Sequence, residues 1–292
     1  MIVNRRIGVY ILLRESLRSL LALFAWDLLV VILFQLFHQE WMEQPALPIS
    51  LIGSALVLFM NVRNNAAYSR WWEGRSLWGM VTNNCRSFGR QAGTLLNNRP
   101  DLACAMAAYA HSLRGSLGDI DVSADVRRLL PEKIEKRIRG ISNQPNAILY
   151  EIGVEVNAEV ARQNIDGAVH GQIDRILSDM ANAQGGLERI RKTPLAIQFS
   201  GLPRFLTICF CLVLPLSMVQ SLGWITPLGS SLVGFLFVAL DKIGHDLEEP
   251  FRNNTAHTLP MKAMAITIEI DLLQPLGLPA PPPLQPEGGV LI

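Results

Sequence analysis

Residues 205–240 read FLTICFCLVLPLSMVQSLGWITPLGSSLVGFLFVAL, without one Asp, Glu, Lys or Arg. A helix rises about 1.5 Å per residue and the hydrocarbon core of a bilayer is about 30 Å thick, so about 20 apolar residues cross it. As one helix this run would overshoot that thickness widely. It therefore divides into two spans, with the turn at SLGWITPLG, where Gly223, Pro227 and Gly229 gather. Trp224 in that turn suits the membrane–water boundary. Pro215, inside the first of the two spans, predicts a kink, because its ring removes a backbone donor and crowds the preceding turn.

Composition agrees with a membrane chain. Of 292 residues, 50% are hydrophobic and only 17% charged, below the quarter usual in soluble domains. A net charge of +1, with no long basic cluster, excludes affinity built on neutralising nucleic-acid phosphates. Cys85, Cys104, Cys209 and Cys211 show no C-x-x-C spacing and no paired histidines, so neither a zinc site nor a disulfide framework is indicated, and reduced thiols are expected. The basic N-terminus lacks a small-residue cleavage site, and Arg14 and Arg18 interrupt any signal core.

Two more spans lie upstream. SLLALFAWDLLVVILFQLF at 19–37 carries one charge, Asp27. An ionised carboxylate there would cost about 2.5–3.5 kcal/mol against lipid, so Asp27 is expected to face protein. The other span begins at Leu47 and ends at Val62, with Pro48 in its first turn, where a missing N–H costs nothing. It is short by itself, but the helical pattern continues through RNNAAYSRWWEGRSLWG at 63–79. Arg5, Arg6, Arg14 and Arg18 precede the first span, and Arg63, Arg70, Arg75, Arg86 and Arg90 follow the second. The connections HQEWMEQPA and SLGWITPLG carry no Lys or Arg, so both termini are expected in the cytoplasm, with the chain in a cell inner membrane.

The organisation expected is an N-terminal cytosolic segment (1–18), a transmembrane hairpin (19–62), a cytosolic helical domain (63–192) and a second transmembrane hairpin (193–240). A cytosolic turn and helix (241–273) and a Pro-rich tail (274–292) complete it. The domain should be all helical, broken at NNRPD (97–101), GDIDVSAD (118–125), LLPEK (129–133) and SNQPN (142–146), since no alternating strand pattern appears. The block from Arg63 to Gly79 reads either as a buried joint between the second span and the cytosolic helices or as an interfacial aromatic and basic belt.

No G-x-S-x-G, H-E-x-x-H or phosphate-binding glycine loop is present, so an enzyme is not indicated. Gly185 and Gly186 suit close helix packing instead. No cofactor is implied.

The prolyl start of span two, the RNNAAYSRWWEGRSLWG block, AQGGLERIRKTPLA at 183–196 and EEPF at 248–251 together resemble the bestrophin family in its bacterial form. The likeness runs from about Ile11 to Met261. It implies a homopentameric ion channel around a central pore, with four transmembrane helices and a large cytosolic helical part per subunit. It implies a pore neck formed by residues four apart on span two, which are Ser54, Leu58 and Val62 here. Ser54 departs from the family's apolar pattern and would make a wetter ring. It implies also a cytosolic aperture, for which Ile173 is the first choice and Val169 and Ile176 are alternatives.

Animal members bind calcium just after the PFG-type turn. Here Arg252 replaces the glycine, and Asn253, Asn254, Thr255, Ala256 and His257 stand where carboxylates would be, so no metal site is expected. Glu248 and Glu249 are expected to pair with the ERIRK basic residues. The monovalent ion implied is chloride; a sodium or potassium channel of the same fold is the alternative, because apolar rings discriminate weakly. A membrane scaffold or sensor is a further one.

Overall fold

The computed structural model describes residues 5–37, 46–252 and 258–286. Among them every regular element is helical and no strand occurs, as the absence of alternating patterning predicts. The chain forms two compact units, Ile2–Trp71 with Pro194–Glu249, and Trp72–Thr193 with Pro250–Ile292. The cut falls inside a helix, at Trp71, nine residues beyond the end expected for the second span.

The first, apolar unit holds α1 (Arg5–Phe37), the first part of α2 (Ala46–Thr94), α8 (Ile197–Leu222) and α9 (Thr226–Glu248). α1 packs along α9 and α8, and α8 along α9. Ile49, Leu56 and Met60 of α2 close a core with Phe210 and Leu214 of α8, and Phe210 meets Phe237 edge-on at 4.9 Å. Gly53 permits this approach, for a Cβ there would lie 3.0 Å from the Phe210 ring.

The turn at 223–225 forms as the sequence suggests. α8 closes at Gly223, whose φ of +53° suits a residue without Cβ, and one 3-10 turn leads to Thr226. The Thr226 hydroxyl donates to the Gly223 carbonyl at 2.7 Å, and Pro227 occupies the first turn of α9. α8 remains helical through both Pro203 and Pro215. Among the described residues two stretches are apolar and long enough to cross a membrane, Ser16–Phe37 and Gln198–Glu248, the second comprising α8 and α9. The apolar start of α2 is not among them, in keeping with its shortness.

The second, polar unit contains the remainder of α2, α3 (Pro100–Gly118), α4 (Ser123–Leu129), α5 (Glu132–Ile138), α6 (Gln144–Ala161), α7 (Gly167–Lys192) and α10 (Met261–Leu273). α3 is its centre, packed by α10, α6, α4 and α7. Leu102, Met106, Tyr109 and Leu113 are fully buried there, and the intervening alanines, also buried, let neighbouring helices come near. The breaks fall where the turn residues predict. Asn97 and Asn98 adopt φ of 54° and 59°, and Asp119 takes 51°, left-handed positions that short polar side chains tolerate. Asn143 caps α6 by accepting from the Asn146 N–H at 3.2 Å, and Asp166 caps α7 through the Val169 N–H at 2.8 Å.

Candidate functional site

The first part of α2 has two unlike faces. Leu56, Met60, Arg63 and Ala67 point into the apolar unit and are buried. Successive residues turn about 100° around a helix, which sets Leu58 opposite Leu56, Met60 and Arg63. Leu58 is 67% exposed and Val62 54%, and Ser54 shares their outer face. All three side chains therefore lie along one strip that contributes nothing to the unit's own core. The Ser54 hydroxyl donates to the Ser50 carbonyl at 2.9 Å. Its proton is thus occupied within the helix, and only the oxygen's two acceptor lone pairs remain for water, a weaker wetting group than a free hydroxyl.

The 63–79 block combines both of its sequence readings, one on each side of the helix. Inward, Arg63 is 1% exposed; its Nε donates to Glu248 Oε1 at 2.8 Å and its Nη1 to Asp241 Oδ1 at 2.5 Å. Arg70 Nε donates to the Glu248 carbonyl at 2.8 Å, serving one of the acceptors that the end of α9 leaves without helical partners. Asn64 reaches the Leu240 carbonyl at 3.3 Å, and a Cβ on Gly244 would collide with the Asn64 side chain. Outward, Tyr68 and Trp72 are exposed in the manner of a belt. Within the apolar unit the joint fastens α2 to α9, and further along the same block Glu73 pairs with Arg189 and Leu77 packs on Gly186 of α7, in the polar unit.

The pairing expected for Glu248 requires a correction. It pairs with Arg63 instead of the ERIRK block, whose Arg189 pairs with Glu73 and whose Lys192 sits 3.7 Å from Glu188. Sequence reading missed this contact because the partners are separated by most of the chain. The signal available was the pair of carboxylates, Asp241 and Glu248, placed two helical turns apart at the end of α9.

Asp27 is buried, as its placement inside an apolar span demands. Its carboxylate accepts from the hydroxyls of Ser230 at 2.5 Å and Ser231 at 2.7 Å. Helix α9 thereby supplies the polar partners that lipid could not.

In the polar unit, Ile173 is 0% exposed. An aperture residue must present surface outside its own subunit, so Ile173 is corrected to a core residue of α7. Val169 and Ile176 are only partly buried. Gly186 takes the packing role expected, since its Cβ would lie 2.8 Å from Leu77. Gly185 meets no close neighbour.

A buried polar network joins α3, α4 and α10. Arg128 grips both carboxylate oxygens of the fully enclosed Glu269 at 2.7 and 3.0 Å, and His111 Nε2 lies 2.8 Å from the same group. Burial holds the His111 imidazole below its usual range, against the opposing effect of its hydrogen bond to the Glu269 carboxylate. Burial likewise pushes the Cys85 thiol upward, and all four cysteines are free. Among the described residues no group of three or more His, Cys, Asp or Glu side chains could hold a metal ion. Asn253 to His257, the stretch compared with the calcium-binding segment of animal members, lie outside the described residues.

A family model of bacterial and fungal bestrophin proteins matches residues 11–274. The chain belongs to the bestrophin family. Similar proteins include a voltage-dependent anion channel-forming protein of Ralstonia nicotianae, 34% identical over 255 residues, covering 83% of this chain and 82% of the relative. Another of that description, from Mesorhizobium japonicum, is 31% identical over 242 residues, covering 82% and 77%. The crystal structure of a bacterial bestrophin homologue from Klebsiella pneumoniae is similar at a TM-score of 0.85 with 31% identity, covering 90% of this chain and 99% of that one. Bestrophin membership makes this a membrane protein of a channel family, with no enzymatic relative among these.

Proposed function

We propose that this bestrophin is one subunit of a homopentameric channel that passes small anions of the chloride type down their gradient. The observation that carries this reading is the orientation of α2: Ser54, Leu58 and Val62 face away from the core that Leu56 and Met60 join. Residues four apart stack along one helix face, so five copies around an axis give superposed rings. Rings of Leu58 and Val62 are apolar and would oppose the entry of water, a barrier of the kind that gates by dewetting. The anion sign draws support from the relatives described as anion channel-forming proteins.

In this reading the membrane is crossed by α1 from residue 19, by 47–62 of α2, and by α8 and α9. The basic flanks of the first two spans set both termini in the cytoplasm of an inner-membrane protein. With Ile173 enclosed, the partly exposed Val169 or Ile176 is the aperture residue.

Purified protein reconstituted in liposomes under a potassium chloride gradient should reverse its current near the chloride equilibrium potential. Reversal near the potassium potential would overturn the anion sign and favour the cation reading. Absence of flux at verified incorporation would overturn conduction itself and leave a membrane scaffold. Native mass measurement in mild detergent should give five copies, and a stable monomer or dimer would contradict the pentamer.

A further inference from the structure

Between α1, α8 and α9 the apolar unit leaves a cavity of about 480 Å³. Leu23, Ile208, Leu212 and Val238 furnish its walls, and Arg204 and Lys242 stand at its polar end. That size lies within the range of about 300–1,000 Å³ common to ligand pockets. The polar end is also where the apolar runs stop: Arg204 directly precedes the charge-free stretch of α8, and Lys242 lies two residues beyond Leu240.

The carboxylates nearby are already matched. Asp241 is held by Arg63 at 2.5 Å, and Asp246 accepts from Lys242 at 3.3 Å. Arg204 is exposed, and no ion pair of it is found among the described residues, so the lip of the cavity keeps a guanidinium without a carboxylate partner. A cationic lip on an apolar slot, at the level where membrane helices begin and end, matches a molecule with an anionic head and a hydrocarbon chain. A soluble anion would gain nothing from the apolar walls, and a zwitterionic lipid would add its own cation beside Arg204.

We propose that this cavity binds an anionic glycerophospholipid, with its phosphate at Arg204 and Lys242 and an acyl chain along Ile208 and Leu212. The inference rests on the membrane placement of α8 and α9 and is independent of conduction, so either can fail alone.

The test is retention of lipid by the detergent-purified protein, offered equal amounts of phosphatidylglycerol and phosphatidylcholine with identical acyl chains and weighed by native mass spectrometry. Phosphatidylglycerol should be kept over phosphatidylcholine by about fivefold, the effect of roughly one near-surface cation. Arg204→Gln should abolish that preference and Arg204→Lys should keep it. Ile208→Trp, which fills the slot and spares the lip, should reduce retention of both lipids. Equal retention of the two lipids by the parent, or a preference untouched by Arg204→Gln, would overturn the proposal. So would displacement by free glycerol phosphate at the lipid's own concentration, or a disulfide between neighbouring subunits through Ile208→Cys, which would mean that a second copy fills the groove.

Discussion

Arg63 and Glu248 meet at 2.8 Å across 185 positions of sequence, and both are buried. The contact ties the middle of α2 to the last turn of α9, and Asp241 completes it from one side. A charge enclosed this way is costly when its partner is removed, because the remaining ions keep their desolvation penalty without the attraction. Arg63→Met should therefore destabilise the protein by about 3–5 kcal/mol, seen as an earlier thermal transition in detergent. Adding Glu248→Gln and Asp241→Asn to the same chain should recover part of the loss; a triple variant no better than Arg63→Met would show that the ion pairs are not the cause.

Leu56 and Leu58, two residues apart, should respond oppositely to truncation. Leu56 is 1% exposed in the α2–α8 core, so Leu56→Ala should cost about 2–5 kcal/mol. Leu58→Ala with Val62→Ala removes side chains that lie outside the core, and stability should change by about 0.5 kcal/mol or less. Conductance of that double variant should rise, since a wider, less apolar ring admits water more readily. Unchanged conductance with intact assembly would return these residues to lipid contact.

Gly186 of α7 and Leu77 of α2 pack closely in the polar unit. A Cβ at 186 would stand 2.8 Å from a Leu77 methyl, so Gly186→Ala should cost about 1–3 kcal/mol through overpacking. Leu77→Val in the same chain should relieve it. If the two costs simply add, the helices do not meet through this pair.

His111 gives the polar unit a pH dependence. Its folded-state pKa lies below the ordinary value of about 6.5, mainly through burial, so the unfolded chain takes up this proton first. Stability is therefore full above about pH 6.5 and declines as the pH falls from there towards the folded-state value. The groups facing the ring are Glu269 on α10, Arg114 on α3, and Asp125 and Arg128 on α4. His111→Gln, which retains a donor toward Glu269, should flatten the fall of the melting temperature as the pH drops below about 6.5. A parent protein with no decline in that window would contradict the assignment.

The helical class, the turn at Gly223 and the breaks at Asn97, Asp119 and Asn143 could be read from the sequence because each is a local matter. Charge-free length, turn residues and capping side chains act over a few positions, and their outcome varies little with tertiary context. That Ser54, Leu58 and Val62 share one face was also legible, since four-residue spacing fixes a shared face wherever the helix lies, but that this face lies outside the unit's core was decided by packing. Sequence chemistry likewise required Asp27 to find protein partners, although it did not name them.

Which partners were found depended on helices far apart in the chain. Ser230 and Ser231 reach Asp27, and Glu248 reaches Arg63, only because α9 packs beside α1 and α2. The role of Ile173 was decided in the same way. An isoleucine on an amphipathic helix reads identically whether its face meets a pore or its own core, and only the packing of α7 in the polar unit enclosed it completely. Local rules determine which surfaces a helix has. Long-range packing determines what each surface meets, because the free energies of the competing contacts differ by less than sequence spacing alone reveals.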